Sequence, residues 1–496
     1  MRQAFFQINF KKFLQGVGIG ILILAFWWLS VRAEAFGETD YRVEFGDEWV
    51  PIDYDEFNAK TIELSEKIYQ QRHSKIKDKK DGLYRVNRST SPATNVFRVI
   101  VEAGIYENIL NSLEQYKVDL KEEYNYQVEF YLCNDCTKEE IKAALQTAGT
   151  VGTVFVGDLP SAWFRIEDCF HQEGRIEIFP IDLYFMDLNG QWAGEVDCGS
   201  GIRCFTTHTG DTLPEIFFGR LTAPNESQEV ELLNHYFEKN HQYKQGEIFL
   251  PRRSLNYINT RAMSWVQEVN IAYPVYDLIT GPETTNGNDY KNRWNDGYEH
   301  LLVAVHSTPL EHFFIPSAPN GSVTWEDVKT LKPHFHFYNL LACSNARFTT
   351  ENYMAGWYVF QKSDYGLLAI GSTKAGEMRG LSYFYQPLSE FKHFGLAFKE
   401  WFRQYQWAVN DKCWHGGMTL IGDPTLKISP FSNTPTPTPT PTPITSSLSC
   451  SGGCYSSNTN CQNNCGQPCT KLDQTNAAQQ GCWPSAYRCC QTITNN

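Results

Sequence analysis

The chain has 496 residues, a formal net charge of -13 and 42% hydrophobic residues. This length allows about three domains, one of which can be a large enzyme domain built on a single sheet. The charge excludes a nucleic-acid partner, because an acidic chain lacks the basic surface that displaces counterions from phosphates.

The first 35 residues carry the features of an export signal. Lys11 and Lys12 precede an apolar stretch from about residue 13 to residue 31, and the small-x-small site Ala33-Glu34-Ala35 follows it. This arrangement predicts a secretory signal peptide over residues 1–35, and hence a secreted or cell-surface protein. The stretch is nearly long enough to span a bilayer, so an uncleaved N-terminal membrane anchor is the alternative.

Residues 36–90 contain charged runs such as 75–81 and have no regular hydrophobic period. They are expected to be either a pro-region or an irregular N-terminal subdomain.

Strand-like and helix-like segments then alternate over a body assigned to residues 91–430. One helix has a capping box, with Thr137 at its start and Glu140 three residues later. Near-continuous apolar strands separated by helices predict an α/β fold, a doubly wound and mostly parallel sheet with helices on both faces. The predicted strands are 97–101, 127–132, 151–156, 215–218, 255–258, 301–305, 335–341 and 366–371, and the predicted helices are 105–124, 137–147, 226–243, 325–331 and 352–361.

The C-terminal region differs in composition from this body. A strict Thr-Pro alternation from Thr434 to Pro443 favours extended polyproline II geometry, so residues 431–447 are assigned as a semi-rigid linker. Eight of the 15 cysteines crowd residues 448–496, which predicts a small disulfide-rich module with up to four bridges. Such a module is expected to bind a cell surface, a glycan or another protein.

The body holds seven further cysteines, and most cysteines of an exported protein are in disulfides. If six of them pair, one thiol stays free and becomes a candidate reactive group. No metal site is expected, because the Cys-x-x-Cys of Cys133 and Cys136 has no second pair at zinc-site spacing. The seven are Cys133, Cys136, Cys169, Cys198, Cys204, Cys343 and Cys413.

Two strand ends carry residues with complementary chemistry. The strand 301–305 runs directly into His306, and the strand 335–341 runs through Ala342 into Cys343. At one edge of a parallel sheet the two side chains can meet if their strands are neighbours. An imidazole can take the proton of a thiol, so the pair is a candidate dyad for acyl transfer.

Each residue also has a purely structural interpretation. Cys343 could be a buried side chain that only fills space in the apolar core, and His306 could be a histidine whose ring nitrogens only form structural hydrogen bonds at a strand end. His312 is expected in a loop on the substrate side, while His334 and His336 lie at the wrong end of the cysteine strand. Asp158, which follows its own strand, is the candidate for orienting the histidine.

Six segments in order resemble the gingipain family of caspase-like cysteine peptidases, over roughly residues 95–430. Around the nucleophile they are NLLACSNARF (339–348) and GLLAIGSTKAGEMRG (366–380), where a strand ends in the cysteine and the next strand in a Gly-Ser-Thr turn. The others are VFVGDLP near residue 157, PIDLYFMDLNG (180–190), EIFFGRL (215–221) and LIGDPTLKI (420–428).

The resemblance implies a caspase-like fold and a cysteine endopeptidase with protein or peptide substrates. It requires no cofactor and allows a structural calcium ion near the turn at 187–190. It implies an oxyanion hole from the backbone N–H groups of Ser307 and Cys343, and a substrate-binding role for Ser372 and Thr373. It also places Asp182 beside the primary specificity pocket, which favours cleavage after Arg or Lys. The alternative is that Asp182 caps a turn before a strand at 183–186.

One residue departs from the family pattern. The family has glycine after the catalytic histidine, whereas this chain has Ser307, which keeps an N–H but lacks glycine's backbone freedom. Two hypotheses follow. The chain is either a secreted cysteine endopeptidase, or a weak or inactive peptidase-like surface protein whose tail does the binding.

Overall fold

The computed structural model describes residues 80–86, 94–171, 174–259, 264–281, 284–314, 321–404 and 411–429, together with three C-terminal strands. The predicted signal or anchor, most of the 36–90 segment and nearly all of the linker lie outside these residues. Within the described ranges, no helix combines the length and apolar character needed to cross a bilayer. Contacts divide the chain into two compact units, separated between Phe431 and Ser432.

The first unit contains the following strands: β1 Gly82–Arg85, β2 Val96–Glu102, β3 Gln127–Asn134, β4 Thr150–Val156, β5 Trp163–Glu167, β6 Ile176–Pro180, β7 Gln191–Ala193, β8 Val196–Asp197, β9 Arg203–Phe205, β10 Thr207–Thr209, β11 Phe217–Leu221, β12 Ser254–Ile258, β13 Tyr276–Thr280, β14 His300–Ala304, β15 His306–Ser307, β16 Glu311–Phe313, β17 Val323–Thr324, β18 Phe337–Leu341, β19 Leu368–Ser372 and β20 Met418–Gly422.

Its helices are α1 Tyr106–Tyr124, α2 Lys138–Leu145, α3 Leu183–Met186, α4 Glu229–Lys244, α5 Gly287–Asn292, α6 Trp325–Leu331, α7 Met354–Phe360, α8 Ser382–Ser389, α9 Phe394–Gln404 and α10 Asp411–His415. All thirteen predicted strands and helices have a counterpart of the same type. The strands that were not predicted are β1, β5 to β10, β13, β15 to β17 and β20, and the helices that were not predicted are α3, α5, α8, α9 and α10. The residues 183–186, expected as a strand in one interpretation of Asp182, form helix α3.

Eleven strands form one sheet in the order β1-β3-β2-β4-β11-β20-β19-β18-β14-β12-β13. Every pairing is parallel except β1 with β3 at one edge and β19 with β20 in the middle. The antiparallel pair in the middle joins two parallel halves that run in opposite directions. Carboxyl ends from different halves therefore lie at opposite edges of the sheet. β1 also places residues upstream of 91 in this sheet.

Both faces of the sheet are buried, as the doubly wound prediction requires. Successive residues of β14 alternate between two apolar clusters, with Leu301 and Val303 in the first and Leu302 and Ala304 in the second. Helices α1, α4, α6 and α7 contribute to the first cluster, and α2, α3, α8 and α9 to the second. The predicted α/β fold with helices on both faces is confirmed.

Six of the seven body cysteines form three disulfides, Cys133–Cys136, Cys169–Cys413 and Cys198–Cys204. Among the described residues Cys343 is the free cysteine. The expectation of three bridges and one free thiol is confirmed. The second unit contains three strands in a separate antiparallel sheet, β21 Ser446–Tyr455, β22 Thr470–Lys471 and β23 Tyr487–Thr494.

The capping box at the start of α2 gives a test of the local sequence signals. The Thr137 side chain accepts from the Glu140 N–H at 3.2 Å, and the Glu140 carboxylate accepts from the Thr137 N–H at 2.8 Å. We expect Thr137→Ala to lower the free energy of unfolding by about 1 kcal/mol, because the first helical turn loses an acceptor. Urea unfolding measures the change. Thr137→Ser keeps the hydroxyl and should match the native protein, and equal losses in both variants would contradict the capping role.

Candidate active site

The candidate site begins with the register of two neighbouring strands. β14 and β18 pair in parallel, and the last pair brings Ala304 opposite Leu341. The Val305 N–H continues the ladder by donating to the Leu341 carbonyl at 3.4 Å. His306 and Cys343 each lie two residues beyond the last pair, at the same edge of the sheet. The neighbouring strands on which the dyad hypothesis depends are therefore present.

The turn after Cys343 is sharp and braced. Ser344 has a φ of 56°, in the left-handed region that residues with a side chain seldom adopt. The Ser344 N–H donates to the Lys374 carbonyl at 2.8 Å, and the Ala346 N–H donates to the Ser372 carbonyl at 3.0 Å. The Asn345 side chain donates to the Ala342 carbonyl. These bonds hold the turn that directly follows Cys343 at the end of its strand.

The thiol of Cys343 is half-buried and protonated at neutral pH. Burial raises its pKa to about 11, and the carboxylates of Glu377 and Glu177 act in the same direction. A backbone hydrogen bond from Gly376 and the charge of Arg175 oppose this shift. A base is therefore needed to produce the nucleophilic thiolate.

His306 has the protonation state that such a base requires. It begins the short strand β15 and is half-buried, and burial lowers the pKa of its imidazole below 6.5. The ring is therefore neutral at pH 7 and can accept a proton. Cys343 and His306 thus lie at the same sheet edge as a neutral thiol and a neutral imidazole, the protonation states that general-base activation uses.

Ser307 lies in a hairpin that determines the direction of its backbone N–H. β15 and β16 pair with Ser307 opposite His312, and the Thr308 N–H donates to the Glu311 carbonyl at 2.9 Å. Opposed pairs in an antiparallel ladder alternate between bonded and non-bonded positions. Thr308 and Glu311 form a hydrogen-bonded pair. Ser307 and His312 are therefore a non-hydrogen-bonded pair, and the Ser307 N–H points away from β16.

The side chain of Ser307 holds the same hairpin closed. Its hydroxyl lies 2.7 Å from the Thr308 carbonyl and 3.0 Å from the Glu311 carbonyl, and His312 Nδ1 lies 3.1 Å away. His312 is fully buried in β16, so the expectation of a substrate-side loop residue was wrong. A loop was predicted because a three-residue strand has no hydrophobic period to identify it.

Ser372 and Thr373 lie beside the turn that carries Cys343, but their side chains are buried. The Ser372 hydroxyl accepts from the Lys374 N–H at 3.3 Å, and the Thr373 hydroxyl donates to the Pro180 carbonyl at 2.7 Å. Both are at most 1% exposed. These contacts support the loop next to the nucleophile, whereas a direct contact with substrate needs exposed atoms. The substrate-binding role predicted for these side chains is corrected to a supporting one.

The carboxylate of Asp182 forms an ion pair with Arg220 of the same chain. Its carboxylate accepts from Arg220 Nη2 at 2.5 Å and Nε at 3.3 Å, and also from the Thr419 hydroxyl. Asp182 is 2% exposed and Arg220 is fully buried. The expected partner of Asp182 was the arginine or lysine of a substrate, and this is corrected to Arg220. Sequence could not reveal the pairing, because the two residues are 38 positions apart.

Asp158 cannot orient His306. It follows β4, which is separated from β14 by four strands and belongs to the half of the sheet with the opposite direction. At about 4.8 Å per strand the two strands lie about 24 Å apart. The expectation failed because it assumed a single strand direction throughout the sheet.

The turn at 187–190, considered for calcium, has protein partners for both oxygens of Asp187. One accepts from the Gly190 N–H at 2.8 Å, and the other contacts His208 Nε2. No cluster of metal-ligating side chains occurs in the part of the chain that the structure describes. Both carboxylate oxygens of Asp187 thus already contact protein groups, and a calcium ion at this turn stays a prediction.

The sequence argument missed four residues that act on the thiol, namely Arg175, Glu177, Gly376 and Glu377. Gly376 and Glu377 lie within the segment 366–380 that carries the family resemblance. Arg175 directly precedes β6 and Glu177 lies within it. The two form an ion pair with N–O distances of 2.7 and 3.0 Å. No local pattern indicates their proximity to Cys343, which arises from long-range folding.

No protein-family model matches the chain, and no curated protein matches it. Among solved structures it is similar to the complex of RgpB pro- and mature domains from Porphyromonas gingivalis, with 15% identity and a TM-score of 0.48 over 67% of this chain and 79% of that chain. A crystal structure of the Arg-specific cysteine proteinase gingipain R (RgpB) gives 15% identity and a TM-score of 0.48 over 69% and 80%. A third structure, described as a protease, gives 13% and 0.45 over 68% and 79%.

The gingipain resemblance indicated by the motifs is thus found again among solved structures, and two of them are gingipain R. Likeness at this identity and TM-score carries no argument about chemistry. The chemistry of this chain has to come from its own side chains.

The pairing of Asp182 with Arg220 can be separated from a role in specificity. We expect Asp182→Asn to lower the free energy of unfolding by about 3–5 kcal/mol, because a buried guanidinium loses its counterion. Glu231→Gln, which breaks an exposed pair with Lys362, should cost less than about 1 kcal/mol. Unfolding in urea measures both. A native-like Asp182→Asn variant with an altered preference for the residue before the scissile bond would restore the specificity role.

Proposed function

We propose that residues 91–430 form a cysteine endopeptidase with Cys343 as the nucleophile and His306 as its base. The register of β14 and β18 supports this most directly, since it places both residues two positions beyond Ala304 and Leu341. A free thiol in a body whose other cysteines are all paired supports it independently.

The reaction begins from the neutral pair. His306 takes the proton of Cys343 as the sulfur attacks the peptide carbonyl, and a tetrahedral oxyanion forms. His306 then gives the proton to the leaving amine, and water hydrolyses the acyl-enzyme with His306 as base. Because His306 must be neutral, activity should fall only as the pH drops below 6.5, through its lowered pKa.

The backbone N–H groups of Ser307 and Cys343 are the proposed oxyanion donors. The non-bonded position of Ser307 in its hairpin leaves its N–H directed away from β16. The hydroxyl contacts of Ser307 hold this conformation, which compensates for the rigidity of serine relative to glycine. In this proposal the serine at 307 is therefore compatible with an active enzyme, and removing one such donor typically costs about 10²–10³ in kcat.

A preference for Arg or Lys before the scissile bond was based on Asp182. Because Arg220 neutralises Asp182, this basis is removed, and the proposal assigns no preference for one side chain.

We infer that the protein is exported. Three disulfides in the body suit an oxidising compartment, where such bonds persist. The cysteine-rich tail at 448–496 is proposed to bind a cell surface, a glycan or another protein. It would then hold the peptidase near its substrates.

Substitution of the two residues tests the dyad. We expect Cys343→Ala and His306→Ala each to lower kcat/KM on a peptide substrate at least about a thousandfold, because the covalent route needs both. Their free energies of unfolding should change by less than about 1–2 kcal/mol, since both side chains are half-buried at strand ends. His334→Ala, which changes a histidine at the opposite end of β18, should retain native activity. Wild-type turnover in Cys343→Ala would show that the nucleophile is elsewhere.

Truncation tests whether the tail belongs to the catalytic unit. We expect a chain ending at residue 430 to hydrolyse a soluble peptide with native kcat and KM, because the spacer uncouples the two units. The comparison uses the full chain at equal concentration. Loss of hydrolysis on a soluble peptide would mean that the tail contributes to the site.

A further inference from the structure

The loop after β19, residues 373–377, packs against the turn that carries the nucleophile. Its Lys374 carbonyl accepts from the Ser344 N–H at 2.8 Å, and the Gly376 backbone hydrogen-bonds to the Cys343 sulfur. The loop thus contacts Ser344 through Lys374 and Cys343 through Gly376. Its conformation therefore influences the position of the sulfur.

The side chain of Lys374 is enclosed next to this contact. Lys374 is fully buried, and its Nζ donates to the carbonyls of Ala375 and Cys413. The rings of Phe170 and Phe179 lie 5.1 and 5.4 Å from Nζ. A buried ammonium is costly unless charges or hydrogen bonds offset its desolvation, and neutral carbonyls supply only part of that. The anions that act on it are those of the candidate active site.

Burial lowers the pKa of Lys374 to about 8, while Glu177 and Cys343 raise it and Arg175 lowers it. Coupling between two titrating groups is reciprocal. A thiolate at Cys343 favours the charged form of Lys374, so the charged lysine must favour the thiolate. The titrations of Cys343 and Lys374 are therefore coupled to each other and to the charges around them. The other charged groups that act on one or both of the two are Arg175, Glu177 and Glu377. Lys374 also acts on His415, as Arg379 does, and His306 lies at the same sheet edge as Cys343.

A disulfide restrains Cys413, whose carbonyl is one of the two acceptors of the Lys374 ammonium. Cys413 is joined to Cys169 by a disulfide across 244 positions of sequence. The segment after Cys413 also holds the loop directly, since the Thr373 N–H donates to the Gly417 carbonyl at 2.8 Å. The Glu377 N–H donates to the Trp414 carbonyl at 3.2 Å. The disulfide therefore sets where Lys374 stands relative to Cys343.

We propose that Lys374 is a positioning residue for the nucleophile, and that the Cys169–Cys413 disulfide holds it in place. Its ammonium stabilises the Cys343 thiolate when His306 removes the proton, and its carbonyl fixes the turn at Ser344. The inference rests on the proposed role of Cys343 as the nucleophile.

The test measures the thiol itself. The full chain is alkylated with iodoacetamide across a pH series, and modification of the Cys343 peptide is quantified by mass spectrometry. Lys374→Gln removes the charge but keeps a hydrogen-bond donor, and Lys374→Met removes both. In both variants we expect the apparent pKa of Cys343 to rise by about one unit, which slows alkylation at pH 7 about tenfold. The kcat for peptide hydrolysis should fall while KM stays unchanged.

Lys239→Gln is the matched control. Lys239 is also buried, at 1% exposure, and its Nζ donates to three backbone carbonyls, those of Val359, Gln361 and Tyr365. These three acceptors lie outside both the loop 373–377 and the turn after Cys343. We expect its pH profile of alkylation to match the native one. An equal shift in Lys239→Gln, or a native profile in both Lys374 variants, would overturn the proposal.

The Cys169–Cys413 disulfide is tested with Cys169→Ala/Cys413→Ala against Cys198→Ala/Cys204→Ala, which removes a disulfide that spans six positions. We expect the first double variant to slow alkylation of Cys343 severalfold at pH 7 and the second to leave it unchanged. Equal rates in the two would refute the role of the disulfide. A shifted thiol pKa in a chain without peptide hydrolysis would overturn the proposed function and leave the role of Lys374 intact. Normal peptide hydrolysis with no shift in the pKa of Cys343 would leave the proposed function intact and overturn the role of Lys374.

Discussion

The parallel pairing of β14 with β18 is the constraint on which the candidate site depends. Each strand is buried on both faces, so its register is fixed by apolar packing along its whole length. A slip of one residue would reverse the direction of every side chain and separate His306 from Cys343. The proposed catalytic pair thus takes its alignment from the core, although neither residue belongs to the core. The neutral state of both groups follows from the same burial at the sheet edge.

The reversal of strand direction between β19 and β20 shapes the rest of the site. It places the amino end of β20 next to the carboxyl end of β19, with Ser372 opposite Met418. The segment leading into β20 can therefore support the loop that follows β19. That loop carries the buried Lys374, which contacts the turn after Cys343, and the Cys169–Cys413 disulfide restrains the segment that supports the loop. In an all-parallel sheet this edge would carry only the carboxyl ends of strands. No segment that leads into a strand would then lie there to support the loop after β19.

The sequence predicts those features that local patterns determine. Apolar runs gave eight of the eleven strands of the sheet, and the odd cysteine and the two strand ends led to Cys343 and His306. Strand direction was not accessible, because β20 and a parallel strand have the same composition. This is why Asp158 was considered near His306 although it lies at the opposite edge. Asp182 failed for a related reason, since its ion pair with Arg220 forms between residues that sequence cannot connect.

The central claim is that Cys343 acts as a nucleophile activated by His306. The most direct measurement is the rate at which a peptidyl acyloxymethyl ketone labels the folded chain, read as a mass increase located by peptide mapping. The account predicts one adduct per chain, on Cys343, with a rate that falls sharply in His306→Ala. Labelling at another residue, no adduct with peptides of any sequence, or an unchanged rate in His306→Ala would contradict it.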